Sequence, residues 1–160
     1  MGKKSIRENK NVYQLARESC EYTRQKASEL MVYISDDRIE KIENERSLPH
    51  PEEILAMSKA YKVPELCNYF CANECPIGRE YVDEVEVKDL SQITLEMIAS
   101  LNALEKKKNR LIEITVDGVI AEDELEDFET IQKQLASIAV TIDSLQLWVK
   151  KAILDGKMAK

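Results

Sequence analysis

Four glycines and four prolines in 160 residues leave little to bend or break this chain, so long helices joined by few turns are expected. A single histidine removes most of the usual acid–base arrangements. No glycine-rich phosphate loop is present, and no Ser/His/Asp or Cys/His set has a recognisable spacing. Carboxylates are plentiful but fall on helix surfaces, where they solubilise. We therefore expect no enzyme. No apolar run approaches the roughly 20 residues that span a bilayer. The start, Met1 to Lys4, is basic but lacks the apolar segment of a secretory signal. A cytoplasmic protein with reduced thiols and no membrane partner is expected. Positive charge is also scarce: the net charge of −7 excludes indiscriminate DNA binding, which depends on neutralising phosphates.

What is present is 44% hydrophobic and 33% charged, the composition of an ordinary globular chain long enough to bury a core as one domain or two small ones. The charge is uneven. Residues 1–80 carry 13 Lys/Arg against 14 Asp/Glu, and residues 81–160 carry 10 against 16. The acidic half suits protein contacts better than DNA.

Residues 1–10 read as a flexible basic arm. Val12, Leu15, Ala16 and Ser19 recur at helical spacing, which predicts a first helix over Asn11 to Cys20. A second runs from Thr23, a good N-cap, to Leu30. After a break at Met31 to Tyr33, a third covers Ile34 to Glu43. Ser35 caps it, Asp36 and Asp37 favour its dipole, and Ile39 and Ile42 form its buried face. Pro51 suits the first position of a fourth helix, with Ile54, Leu55, Met57, Ser58 and Tyr61 as its apolar stripe. Pro64 starts a fifth helix, from Glu65 to about Cys71. An acidic linker, 79–89, leads to two long helices, Leu90 to Ile114 and Glu122 to Leu154. Their inward stripes are Ile93, Met97, Leu101, Leu104, Leu111 and Ile114, then Leu125, Phe128, Ile131, Leu135, Ile138, Ile142, Leu145 and Val149. The short connection makes them antiparallel neighbours. The expected class is all-α: a bundle over 11–78, the linker, and a helical hairpin over 90–160.

Two short amphipathic helices joined by a tight turn inside a small bundle form the layout that presents a helix to the DNA major groove. The residues that carry it are Thr23, Arg24 and Gln25, then Ala27, Ser28 and Ile39. Next come Ile42, Glu43, Leu48 and Pro49, and finally the run from Ile54 to Val63. This third of the chain resembles the lambda-repressor-like (Cro/repressor, or XRE-type) helix-turn-helix family. The resemblance implies a five-helix bundle whose third helix enters the major groove of double-stranded DNA. It implies Arg24 and Gln25 near the phosphates, and Ser35, Asp36, Asp37 and Arg38 at base edges, with Lys41, Asn44 and Arg46 nearby. It also implies a sequence-specific transcriptional regulator, with a homodimer through the C-terminal helices. The chain departs from the family in two ways. The turn glycine is missing, with Tyr33 near its place and about one extra residue in the turn. The third helix also carries Asp36, Asp37, Glu40, Glu43 and Glu45. The alternative function is an adaptor that uses the same bundle and hairpin for protein contacts without DNA.

Cys67, Cys71 and Cys75 are spaced by four, with Cys20 as a fourth. Thiolates bind zinc or an iron–sulfur cluster. On a continuous helix, Cys67 and Cys75 would lie ~12 Å apart, so Cys75 joins a site only if the chain folds back. Cys20 or His50 would complete the ligands. Structural thiols and redox-sensing thiols are the other readings. Finally, Asp117, Gly118 and Glu124 resemble half of a calcium loop with Glu113 first and Thr115 third. The loop wants Asp first and more carboxylates, which leaves a helix–helix turn whose glycine takes positive φ.

Overall fold

The computed structural model describes residues 9–159, so the expected arm over 1–10 lies largely outside the described residues. The described chain holds α1 (Val12–Ser19), α2 (Arg24–Met31), α3 (Asp36–Glu43), α4 (Pro51–Tyr61), α5 (Glu65–Asn73), α6 (Gly78–Tyr81), α7 (Leu90–Ile114), a 3-10 turn (Glu122–Glu124) and α8 (Leu125–Leu154). No strand occurs among the described residues, as the all-α expectation required. None of the helices is long and apolar enough to cross a membrane. The chain divides into two compact units. One extends to Glu84 and includes the chain from Lys150 onward; the other is Val85–Val149.

The first three helices begin alike. Side-chain oxygens of Asn11, Thr23 and Ser35 accept the backbone N–H of Gln14, Lys26 and Arg38 at 3.0, 3.1 and 3.2 Å. Each such cap contributes about 1 kcal/mol by satisfying a donor the helix cannot. Pro51 opens α4, and the His50 backbone N–H donates to Glu53 Oε2 at 2.7 Å.

Five helices enclose one core. Ala27, Met31, Ile34, Ile39, Ile42, Ile54, Met57, Tyr61 and Leu66 are buried together with Tyr13, Ala16 and Phe70. Leu15 and Leu55, expected on inward stripes, are about half exposed at 52% and 51%. The inward face of α1 is set instead by Tyr13, Gln14, Ala16 and Arg17. Helix α5 runs past Cys71 to Asn73, and α6 occupies part of the expected linker. Gly78 allows the α5–α6 corner: a Cβ there would meet the Cys71 carbonyl oxygen at 2.1 Å.

In the second unit α7 and α8 run antiparallel. Ser100 and Ser137 Oγ atoms approach to 3.5 Å, and Arg110 Nε donates to Asp127 Oδ2 at 2.8 Å. The inward positions on α7 are Ile93, Met97, Ser100, Leu104, Lys107, Leu111 and Ile114. On α8 they are Asp127, Ile131, Gln134, Ile138, Thr141, Leu145 and Trp148. Both series alternate spacings of four and three, and every member is buried or half-buried. That spacing is the one a two-helix heptad seam uses, although on α8 the buried Ser144 and Leu147 lie outside it. Gly118 reverses the chain at φ +75°, as the turn reading required.

Candidate nucleic-acid interface

Helices α2 and α3 pack on each other, and their connection is the least relaxed point of the bundle. Val32 has φ 58° and ψ −46°, and the Tyr33 N–H donates to the Met31 carbonyl at 2.6 Å. Two residues apart, that bond closes a γ-turn of the rare, strained hand. Val32, not Tyr33, therefore stands where a glycine would sit comfortably. It is 89% exposed, so strain rather than packing dominates its contribution. Tyr33 anchors the turn from outside: its hydroxyl donates to the Glu52 carbonyl at 3.0 Å.

Below the turn lies a charged cluster. Arg17 of α1 donates through Nε and Nη2 to the two oxygens of Glu43 at 2.6 and 3.0 Å. Arg24 of α2 donates to Glu43 Oε2 at 2.8 Å, and Arg17 also donates to the Tyr22 carbonyl. The Glu43 side chain is 1% exposed. One carboxylate thus joins α1, α2 and α3. Burial works against the Arg17 charge, but the Glu43 carboxylate more than offsets it and raises the Arg17 pKa. Tyr61 feels the same cluster: burial first, then Glu43, push its hydroxyl far above the usual range. Glu43, one of the five acids carried by or next to α3, is thus an internal anchor and not part of its outward surface. The available signal was its place four residues after Ile39, toward the apolar side.

Arg38 was expected at base edges. In the structure its guanidinium is bidentate to Glu53 of α4, with Nε–Oε1 at 2.7 Å and Nη2–Oε2 at 2.6 Å. It also donates to Ser47 Oγ at 2.6 Å and to the Leu48 carbonyl at 2.9 Å. Arg38 therefore ties α3 to α4 and to the loop between them. Burial pushes the Glu53 carboxyl up, but Arg38 and the His50 N–H together hold it below the usual carboxylate range. Of the other expected contacts, Gln25, Ser35, Asp36, Asp37, Lys41 and Arg46 are exposed. Arg24 is half-buried, and its Nη1 lies 3.8 Å from Glu40 Oε2. Asn44 Nδ2 donates to Glu40 Oε1 at 3.3 Å. The outward surface of α3 is thus polar and of mixed sign. Its apolar back, Ile39 and Ile42, is fully buried.

The cysteines are free and half-buried, and all four pack against the bundle core. Cys20 Sγ donates to the Tyr61 carbonyl at 3.0 Å, and the Gly78 N–H donates to Cys75 Sγ at 3.4 Å. Burial, with Cys75 and Cys67 nearby, pushes the Cys71 thiol up, opposite to the shift that makes a reactive thiolate. Among the described residues no three His, Cys, Asp or Glu side chains are placed to hold a metal ion. The proposed zinc or iron–sulfur ligands, His50 included, are not gathered into a site. The arrangement fits small apolar side chains in a core.

Compared with family models, with curated proteins and with solved structures, the chain matches none.

Proposed function

We propose that this chain is a non-catalytic, sequence-specific DNA-binding transcriptional regulator of the lambda-repressor-like helix-turn-helix class, acting in the cytoplasm. It reads the major groove with α3 and dimerises through a C-terminal helical hairpin. The observation that carries the reading is the α2–turn–α3 pair. Its back is buried in the core, and its front presents Gln25, Ser35, Asp37, Lys41 and Arg46 to solvent. Ser35, Asp37 and Lys41 at the start and along the front of α3 meet base edges. Gln25, Asn44 and Arg46 meet the backbone. Arg24 acts at the phosphates with part of its charge committed to Glu43. Arg38 is a positioning residue, because its donors hold α3 on α4.

A second reading, a protein-contact adaptor, draws support from the acids on the same surface: Asp36, Asp37 and Glu45 are exposed. Carboxylates accept from cytosine N4 but repel phosphates. Selection of full-length protein against random double-stranded DNA separates the two. The regulator reading expects an enriched motif and a steep salt dependence. It also expects Lys41→Ala to weaken the selected site about tenfold, the order expected for one lost base or phosphate contact. Elution from heparin at low salt with no enriched motif means the adaptor.

A further inference from the structure

The α7–α8 pair has more apolar side chains than its seam holds. Leu101, Leu135 and Ile142 were expected inward, yet they are 49%, 43% and 41% exposed. Ile98 and Ile112 are 51% and 58% exposed, and Phe128 is half-buried. Their heptad positions explain this. In an antiparallel pair, residues that flank the seam on the same side of each helix share one face. Leu101 on α7 and Phe128, Leu135 and Ile142 on α8 all take that flanking position, with Ile98 and Ile112 beside it. The opposite edge is polar: Arg110 and Ser137 flank the seam there and bond to the seam residues Asp127 and Ser100.

We propose that this face is the docking surface for a second copy of the chain, which converts two helix pairs into a four-helix bundle. Three observations favour a copy over another occupant. The first is area. The six side chains expose on the order of 500 Å² per protomer, so a two-fold pair removes about 1,000 Å² from water, the threshold for a specific interface. The second is charge. An ion pair sits on this edge: Lys108 Nζ lies 2.7 Å from Glu105 Oε1, and both side chains are exposed. Adjacent opposite charges are self-complementary across a two-fold axis, where Glu105 of one copy faces Lys108 of the other. The third is shape. An open depression of about 420 Å³ runs along this edge of α7, lined by Leu101, Asn102, Leu104, Glu105, Lys108 and Leu111, where an apolar side chain of the second copy would seat. This proposal deepens the pairing part of the regulator reading but needs no DNA. A dimer without a selected DNA motif overturns that reading and leaves this one standing.

Sedimentation velocity on the full chain over a range of concentrations tests it. Wild type sediments as a dimer, and Leu101→Glu with Leu135→Glu shifts it to monomer. A second arm leaves the seam and the apolar face untouched. Glu105→Lys alone and Lys108→Glu alone each raise the dimer dissociation constant about tenfold, and mixing the two variants restores pairing as heterodimers. Three results overturn the proposal: a monomeric wild type at 100 μM or more, a dimer that survives Leu101→Glu with Leu135→Glu in a folded protein, or single charge variants that pair as well alone as mixed. A monomer whose Leu101 and Leu135 are shielded from surface labelling overturns it as well, because the face is then covered by its own chain.

Discussion

Replacing Val32 by glycine should make the first unit more stable, although glycine usually weakens a fold. The side chain is 89% exposed, so deleting it forfeits almost no burial. At φ 58° and ψ −46° a β-branched residue is a steric outlier, and such backbone strain costs about 1–3 kcal/mol. Glycine relieves it but adds ~0.5–1 kcal/mol of unfolded-state freedom. The net expectation is a gain of about 1 kcal/mol, or roughly 4–8 °C in the melting temperature of a unit this size. Val32→Ala is the control. It removes the branch but keeps the Cβ that clashes at positive φ, so its gain should be smaller. All six tyrosines precede Val82 and the one tryptophan is Trp148. Near-UV circular dichroism of tyrosine during urea unfolding therefore reports the first unit, and linear extrapolation gives its stability. If the glycine variant equals or falls below the alanine variant, backbone entropy alone governs the site and the strain argument is wrong.

The Arg38–Glu53 pair should show coupling in a double-mutant cycle of unfolding free energies. Arg38→Ala should cost ~2–3 kcal/mol, because it strands a half-buried carboxylate; a cost no larger than that of an exposed pair would refute the clamp. Glu53 is held below its ordinary pKa. Its stabilisation is therefore complete above the unfolded carboxylate value of about 4.3 and fades as pH falls through the lower folded value. Glu53→Gln should remove that part of the acid sensitivity in urea titrations between pH 5 and 3. Glu43→Gln removes the buried carboxylate that pairs with Arg17, leaving Glu18 at 3.8 Å as its nearest acid, and should cost about 3–5 kcal/mol, measured by the same tyrosine signal. Gly78→Ala drives a methyl into the Cys71 carbonyl. It should destabilise by about 2 kcal/mol or more and raise amide exchange across α5 and α6, whereas exchange confined to α6 would show that the corner relaxes locally.

The chain by itself determined the helical class and much of the helix grammar. Thr23, Ser35 and Pro51 marked helix starts because capping chemistry is local, read within one turn. The spacing of Ile39, Ile42, Ile54, Met57 and Tyr61 exposed the core face for the same reason. Tertiary structure alone decided which charges are outward. Glu43 and Arg38 look like surface residues in sequence, but their partners Arg17 and Glu53 lie 26 and 15 residues away, and no local pattern encodes such a meeting. The long helices teach the same lesson. Periodicity showed apolar stripes but not their width, and only the antiparallel register of α7 against α8 separates Ile93 and Ile131 in the seam from Leu101 and Leu135 outside it. Val32 is the last case. Its strained turn follows from closing α2 onto α3 through a fixed number of residues, a constraint that exists only once both helices are packed.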